Sequence, residues 1–164
     1  MNAAEIFLKV IKHPVKFRLF LLTKLPAAFF SGVQVVEVDE SHAIVSIPFK
    51  WLTQNPFKSA YFASLSMAAE LSTGVLAMMH IYKKDPAISM LVTKMEANYF
   101  KKATGKTFFI CIEGQQIQEI IEECVISGES KSIAVRSIGK NKNDEPIAEF
   151  LFTWSFKAKA NLPT

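Results

Sequence analysis

The chain has 164 residues, half of them apolar and fourteen of them Phe, with a net charge of +4. That length fits one domain with a core large enough to dispense with disulfides or metals. The charge excess is small and contains no basic run, which argues against nucleic acid. Three His and two Cys without ligand spacing argue against a metal site.

Ile6, Phe7, Val10 and Ile11 form one stripe of a first helix, with Lys9, Lys12 and Lys16 on the other side. Pro14 suits the first turn of a second helix that runs to about Leu25, where Pro26 ends it. A basic amphipathic helix can lie on an anionic membrane, but capping a core is the commoner use. Core capping is preferred, and peripheral membrane contact is the lesser reading. Residues 15–36 are apolar, yet Lys16, Arg18 and Lys24 interrupt them and Pro26 breaks them. Neither a membrane span nor a signal peptide is expected, and a soluble cytoplasmic protein is. Cys111 and Cys124 lie far apart and read as reduced structural thiols in that compartment.

Residues 33–38 are β-branched, and after a turn at Asp39-Glu40-Ser41 the positions Ala43, Val45, Ile47 and Phe49 alternate as a second strand. A loop follows over 50–58. Residues 59–81 are too long for a strand and rich in Ala, Leu and Met, so they form a helix. Past Asp85-Pro86, Leu91, Thr93, Met95, Ala97 and Tyr99 share one face of a long strand, and 105–113 make the next. Ile117, Ile120, Ile121, Cys124 and Val125 fall at helical spacing. Residues 132–139 and 147–156 form a hairpin across a polar turn, with Phe150, Phe152, Trp154 and Phe156 on one face. The order predicts an α+β fold: a mostly antiparallel sheet packed on one long central helix. Residues 1–30 are a helical extension, and 31–164 a single domain.

Between Lys58 and Lys83 the only charged side chain, His80 aside, is Glu70. A carboxylate removed from water keeps solvent access, finds hydrogen bonds or stays protonated, and each outcome marks it as a candidate for chemistry. Helical spacing puts Tyr61, Leu65, Ala68, Ser72, Val75 and Met79 opposite Glu70 as the sheet-packing stripe. Ala63, Ser66, Met67, Thr73, Gly74 and Ala77 lie beside it. A solvated face of this length would carry several charges, so this one is expected to be a groove.

Asn55, then Tyr61-Phe62-Ala63, then Glu70 resembles the active-site signature of hotdog-fold acyl-CoA thioesterases, in particular the phenylacetyl-CoA thioesterase-like branch. In that signature an Asn precedes a His-Gly-Gly or Phe-Gly-Gly triplet, and an acid follows within the helix. The resemblance covers about 33–156, and the added N-terminal helix and the 117–125 insertion are similar to a little-characterised branch of the superfamily. It implies a hotdog fold, with the sheet wrapped around the helix. It also implies a substrate that is an acyl-CoA or acyl-carrier-protein thioester, with coenzyme A present only as part of that substrate and no other cofactor. A homodimer or homotetramer is implied too, with sites formed between subunits.

In the implied chemistry Glu70 is general base or nucleophile, and Asn55 orients water or the carbonyl. The backbone N–H groups of Phe62 and Ala63 hold the oxyanion. Tyr61, Ser66, Met67 and Thr73 line the substrate site, and Lys101, Lys102, Lys106 and Arg136 are candidates for coenzyme A phosphates. Burial should raise the Glu70 pKa. Phe62 and Ala63 depart from the two glycines, and the Phe62 ring either crowds the site or turns inward. Tyr61 replaces a His, which counts against a dehydratase. His13, His42 and His80 are expected at the surface or at strand edges. The alternative is an acyl- or lipid-binding module, or a dimerisation module, on the same fold without turnover.

Overall fold

A computed structural model of the protein describes residues 2–159. Three helices come first: α1 (Ala3–Ile11), α2 (Pro14–Lys24) and α3 (Pro26–Ser31). Asn2 and Glu5 close a capping box on α1, satisfying two donors that the helix start leaves free. Pro26 does not simply stop α2. It opens α3, because a ring-fixed φ and a missing N–H suit the first position of a helix. Gly32, at φ 82°, then ends α3 in the left-handed conformation.

Strands β1 (Gln34–Val38) and β2 (Ala43–Ile47) precede a short 3-10 turn, Trp51–Thr53, and the long helix α4 (Phe62–Ile81). After α4 come β3 (Ile88–Tyr99), β4 (Thr107–Cys111), α5 (Gly114–Ser127), β5 (Lys131–Lys140) and β6 (Pro146–Ala158). The six strands form one sheet in the order β1-β2-β4-β5-β6-β3, and every neighbouring pair is antiparallel. The sheet curls around α4, which packs on β2, β4 and β5 and more lightly on β6. This is the hotdog fold.

Helix α4 is long and apolar enough to cross a membrane, but it lies mostly buried inside the wrapping sheet. Leu65, Ala68, Ser72, Val75 and Met79 are buried on the sheet side, and Ser72 shares a 2.7 Å hydrogen bond with Ser137 of β5. Leu71, Leu76 and Ala77 are buried too, so the helix is enclosed around most of its girth. Each buried Leu, Val or Met among them contributes roughly 1.5–3 kcal/mol. Tyr61 is the exception on the stripe. It stands before the helix and is nearly half exposed.

One face assignment along β3 changes. Opposite Phe156, Trp154, Phe152 and Phe150 of β6 stand Met90, Val92, Met95 and Ala97, with a register shift between Val92 and Lys94. A bulge there inserts one residue and swaps the faces upstream of it. Leu91, expected with Met95 and Tyr99, therefore points away from the core and is 65% exposed.

Among the three histidines, His13 caps α2 through Nδ1, and His42 pairs with Glu37 and Asp39 on the β1–β2 hairpin. His80 departs from expectation. Its Nε2 is buried without a hydrogen-bond partner among the described residues, and burial holds its pKa below the usual range. Cys111 and Cys124 are buried and unpaired, and burial pushes the Cys111 thiol up to about 12.

Helix α5 seats Ile117, Ile121 and Cys124 in the core, and Gly114 brings its first turn against the β1–β2 turn. A Cβ on Gly114 would lie 2.2 Å from the Glu40 carbonyl oxygen, so backbone would have to move. Gly114→Ala is expected to destabilise the fold by about 1–3 kcal/mol, read as a lower urea midpoint at unchanged slope.

Candidate active site

The approach to α4 is tied down by two polar side chains. The buried Thr53 hydroxyl accepts from the Lys50 N–H at 2.9 Å and donates to the Pro48 carbonyl at 2.8 Å. Asn55 Oδ1 accepts from the Phe57 N–H at 2.9 Å and from the N–H and hydroxyl of Ser59 at 3.3 and 3.2 Å. Its Nδ2 donates to the Ala60 carbonyl at 3.3 Å. The Asn55 amide thus closes the turn that leads into the helix, and its oxygen has no acceptor capacity to spare. The Tyr61 N–H donates to the Thr53 carbonyl at 2.7 Å, which aims the helix start. The Phe62 and Ala63 N–H groups have no backbone acceptor among the described residues, and no side chain caps them. They form the positive end of α4.

Glu70 lies two turns further on, in an open groove of about 460 Å³. Ala63, Ser66, Met67 and Glu70 of α4 make one side, Val92 and Met95 of β3 with Phe152 of β6 make the other, and Phe62 stands at its end. Burial alone pushes the Glu70 carboxyl up to about 7, with no opposing hydrogen bond or charge among the described residues. Gly74 makes room for it. A Cβ there would stand 3.2 Å from Glu70 Oε1 and 3.3 Å from the Trp154 ring. The carboxyl therefore lies along the helix toward its C-terminal end.

Trp154 also fixes the backbone beneath. Its Nε1–H donates to the Thr73 hydroxyl at 2.9 Å, and that hydroxyl donates to the Glu70 carbonyl at 3.0 Å. Thr73, expected beside the substrate, is fully buried below the groove with its hydroxyl engaged. Sequence spacing put it on the right helical sector but could not reveal that Trp154 covers it. Ser66 donates to the Phe62 carbonyl at 3.0 Å and lines the groove with Met67.

A second cavity of about 490 Å³ adjoins the first at Phe62 and takes in Asn55, Tyr61, Tyr99, Lys101 and Lys102. The Phe62 ring does not turn inward. It is 53% exposed and meets the Tyr61 ring edge-on at 4.8 Å. Asn55 and Glu70 thus line neighbouring cavities of one chain and do not meet. Lys101 and Lys102 continue into a further cleft of about 490 Å³ with Lys106 and Lys142. Arg136 is not among them and pairs with Glu149 at 3.7 Å. The place of Lys142 in that cleft had only its charge as a sequence signal.

The family described as "Domain of unknown function (DUF4442)" matches residues 16–155. No curated protein matches the chain. Among solved structures, a Pseudomonas aeruginosa protein described as a probable thioesterase superposes with a TM-score of 0.74 at 17% identity, over 89% of this chain and 97% of that one. The thioesterase HI1161 of Haemophilus influenzae gives 0.60 at 11% identity, over 88% and 92%. The PaaI protein of the phenylacetic acid degradation operon of E. coli gives 0.64 at 9% identity, over 99% and 100%. At these identities the likeness establishes the fold.

The raised carboxyl has a stability signature. Folded Glu70 binds its proton up to about pH 7, whereas its ordinary value is 4.5. The folded state holds the extra proton between those values, so this group's contribution to stability falls as pH rises through that window. Glu70→Gln removes the penalty. It is expected to stabilise the protein by about 1–3 kcal/mol at pH 8 and by little at pH 4, measured by urea unfolding at both.

Proposed function

The chain belongs to the DUF4442 family, and we propose that it is a thioesterase that hydrolyses acyl-coenzyme A or acyl-carrier-protein thioesters at the Glu70 groove. One observation carries this reading: a lone carboxyl, raised to about 7 by burial in an apolar groove, has the proton affinity of a general base at working pH. The solved relatives described as thioesterases support it.

Glu70 takes a proton from a water whose oxygen bonds to the thioester carbonyl carbon. The carbonyl electrons move to oxygen, and free backbone N–H groups of the Phe62 and Ala63 type stabilise the oxyanion. Collapse breaks the C–S bond, and the proton held by Glu70 goes to the leaving sulfur. The products are a carboxylic acid and a thiol. Direct attack by the Glu70 carboxylate, through an anhydride that water then opens, reaches the same products. The acyl chain lies along Met67, Met95 and Phe152, and Ser66 and Tyr61 flank the thioester. Lys101, Lys102, Lys106 and Lys142 meet coenzyme A phosphates.

One chain does not complete this site. Phe62 and Glu70 are eight residues apart, about 12 Å along a helix, and the carboxyl lies toward the far end over Gly74. A single thioester carbonyl cannot touch both, so the oxyanion donors facing Glu70 belong to a second copy. The free edge of β3 is where that copy pairs: twelve residues long, unpaired on one side among the described residues, with Leu91 exposed on one face and Met95 and Tyr99 on the other. The assembly is a homodimer, or a homotetramer built from it.

Released thiol, measured on acyl-CoA of graded chain length, tests the reaction. Glu70→Gln is expected to lower kcat about 10²–10⁴-fold, and wild-type kcat/KM should rise with pH and level off above about 7. Retained acyl-CoA binding without turnover at any length would support the non-catalytic acyl-binding module, which the half-exposed Phe62 ring in place of a glycine favours. The shared site has its own test. Leu91→Lys places a charge on the free edge and should shift the dimer to monomer by light scattering, with loss of hydrolysis.

A further inference from the structure

We propose that α2 is a docking surface for anionic lipid membranes. The proposal does not depend on the reaction at Glu70.

Helix α2 is apolar on two opposite faces. Phe17 and Leu21 are buried against the domain. Val15, Leu19 and Leu22, at i, i+4 and i+7, share the reverse side and are 69%, 59% and 41% exposed. Among the described residues nothing covers them. They border a shallow apolar depression with Pro14 and Phe29, and Phe30 of α3 stands 58% exposed beside Phe29, ring edge to ring face at 5.2 Å. Trp51 is 80% exposed on the 3-10 turn that α3 packs against. An aliphatic stripe with aromatic neighbours suits immersion at the level of lipid headgroups.

Charge selects the occupant. Residues 1–32 contain five Lys or Arg and one Glu, and the remainder contains fourteen of each sign. The whole net charge of +4 therefore sits on the segment that holds the three helices and the turns between them. By helical angle Arg18 and Lys16 flank the apolar stripe on either side, and Lys12 and Lys24 stand at the two ends of α2. Lys9, Lys12, Lys16 and Lys24 are exposed, and no ion pair among the described residues holds them. The nearby carboxylates Glu37 and Asp39 lie against the His42 ring nitrogens at 3.2 and 3.0 Å, and among the described residues neither forms an ion pair with Lys12 or Arg18. A second copy on this face would oppose like charges, whereas an anionic bilayer satisfies both the cations and the stripe.

The test is co-sedimentation of the full chain with vesicles of phosphatidylcholine alone or mixed equally with phosphatidylglycerol. The wild type is expected to pellet with the mixed vesicles, weakly with phosphatidylcholine, and less as salt rises. Lys12→Gln with Lys16→Gln should cut binding about fivefold per cation removed. Val15→Gln with Leu19→Gln and Leu22→Gln should leave the protein in the supernatant. Thermal melts check that both variants stay folded, and the lysine pair decides alone if the triple variant does not. Wild type that remains in the supernatant with mixed vesicles at low salt overturns the proposal, as does pelleting of both variants at the wild-type level. A smaller assembly for the triple variant by light scattering would assign the stripe to a second copy instead. Binding to an acidic carrier protein that vesicles do not displace would overturn the lipid assignment as well.

Discussion

Everything in this molecule follows from one constraint: a twenty-residue helix that is apolar around most of its girth must be enclosed. A flat sheet covers one side of a helix. Only a sheet long enough to curl covers more, and six antiparallel strands with aromatic side chains on the concave face of β6 achieve this. The other helices finish the enclosure. Phe7 of α1 meets Tyr82 at the C-terminal end of α4, and α5 packs beside it. The wrapping leaves a groove open on the Glu70 side, between α4 and the last two strands of the sheet order.

That opening explains why an acid can persist there. Glu70 loses most of its water and receives no hydrogen bond from the described residues in return, so its ionised form is disfavoured. The surrounding residues hold it in place without neutralising it. Gly74 removes the side chain that would displace the carboxyl, the Trp154 ring packs against Gly74, and Thr73 couples the indole to the backbone under Glu70. A rigid aromatic on β6 thus sets the position of a side chain on α4 from the far side of the strand–helix interface. The energetic cost of the buried acid is local, and the large core around it supplies the margin.

Much of this was legible from residue order because the strongest signals were long. The 59–81 run has no Pro and, His80 aside, one charge, and the β5–β6 hairpin is marked by alternation on both sides of a polar turn. Less visible features depended on geometry that leaves no compositional trace. The bulge after Val92 flips Leu91 outward with no Gly or Pro to announce it. Pro26 reads equally well as the end of one helix or the beginning of the next, and only the chain beyond decides. Thr73 lies at the angle of a groove residue, yet Trp154, eighty-one positions later, covers it. Asn55 and Glu70 share a short motif, but the turn that Asn55 closes sends them to adjoining cavities.

The two buried cysteines give the folded protein a chemical silence. Reagents that trap thiols react with the thiolate, and Cys111, pushed up to about 12 inside the core, presents almost none at neutral pH, while Cys124 is sealed against the carbonyl of Phe156. A coenzyme thiol in free solution reacts at once. Colour from such a reagent therefore counts small-molecule thiol while the fold is intact, and two further equivalents surface only when the sheet opens. The same pair of sulfurs is a built-in gauge of global unfolding that requires no label.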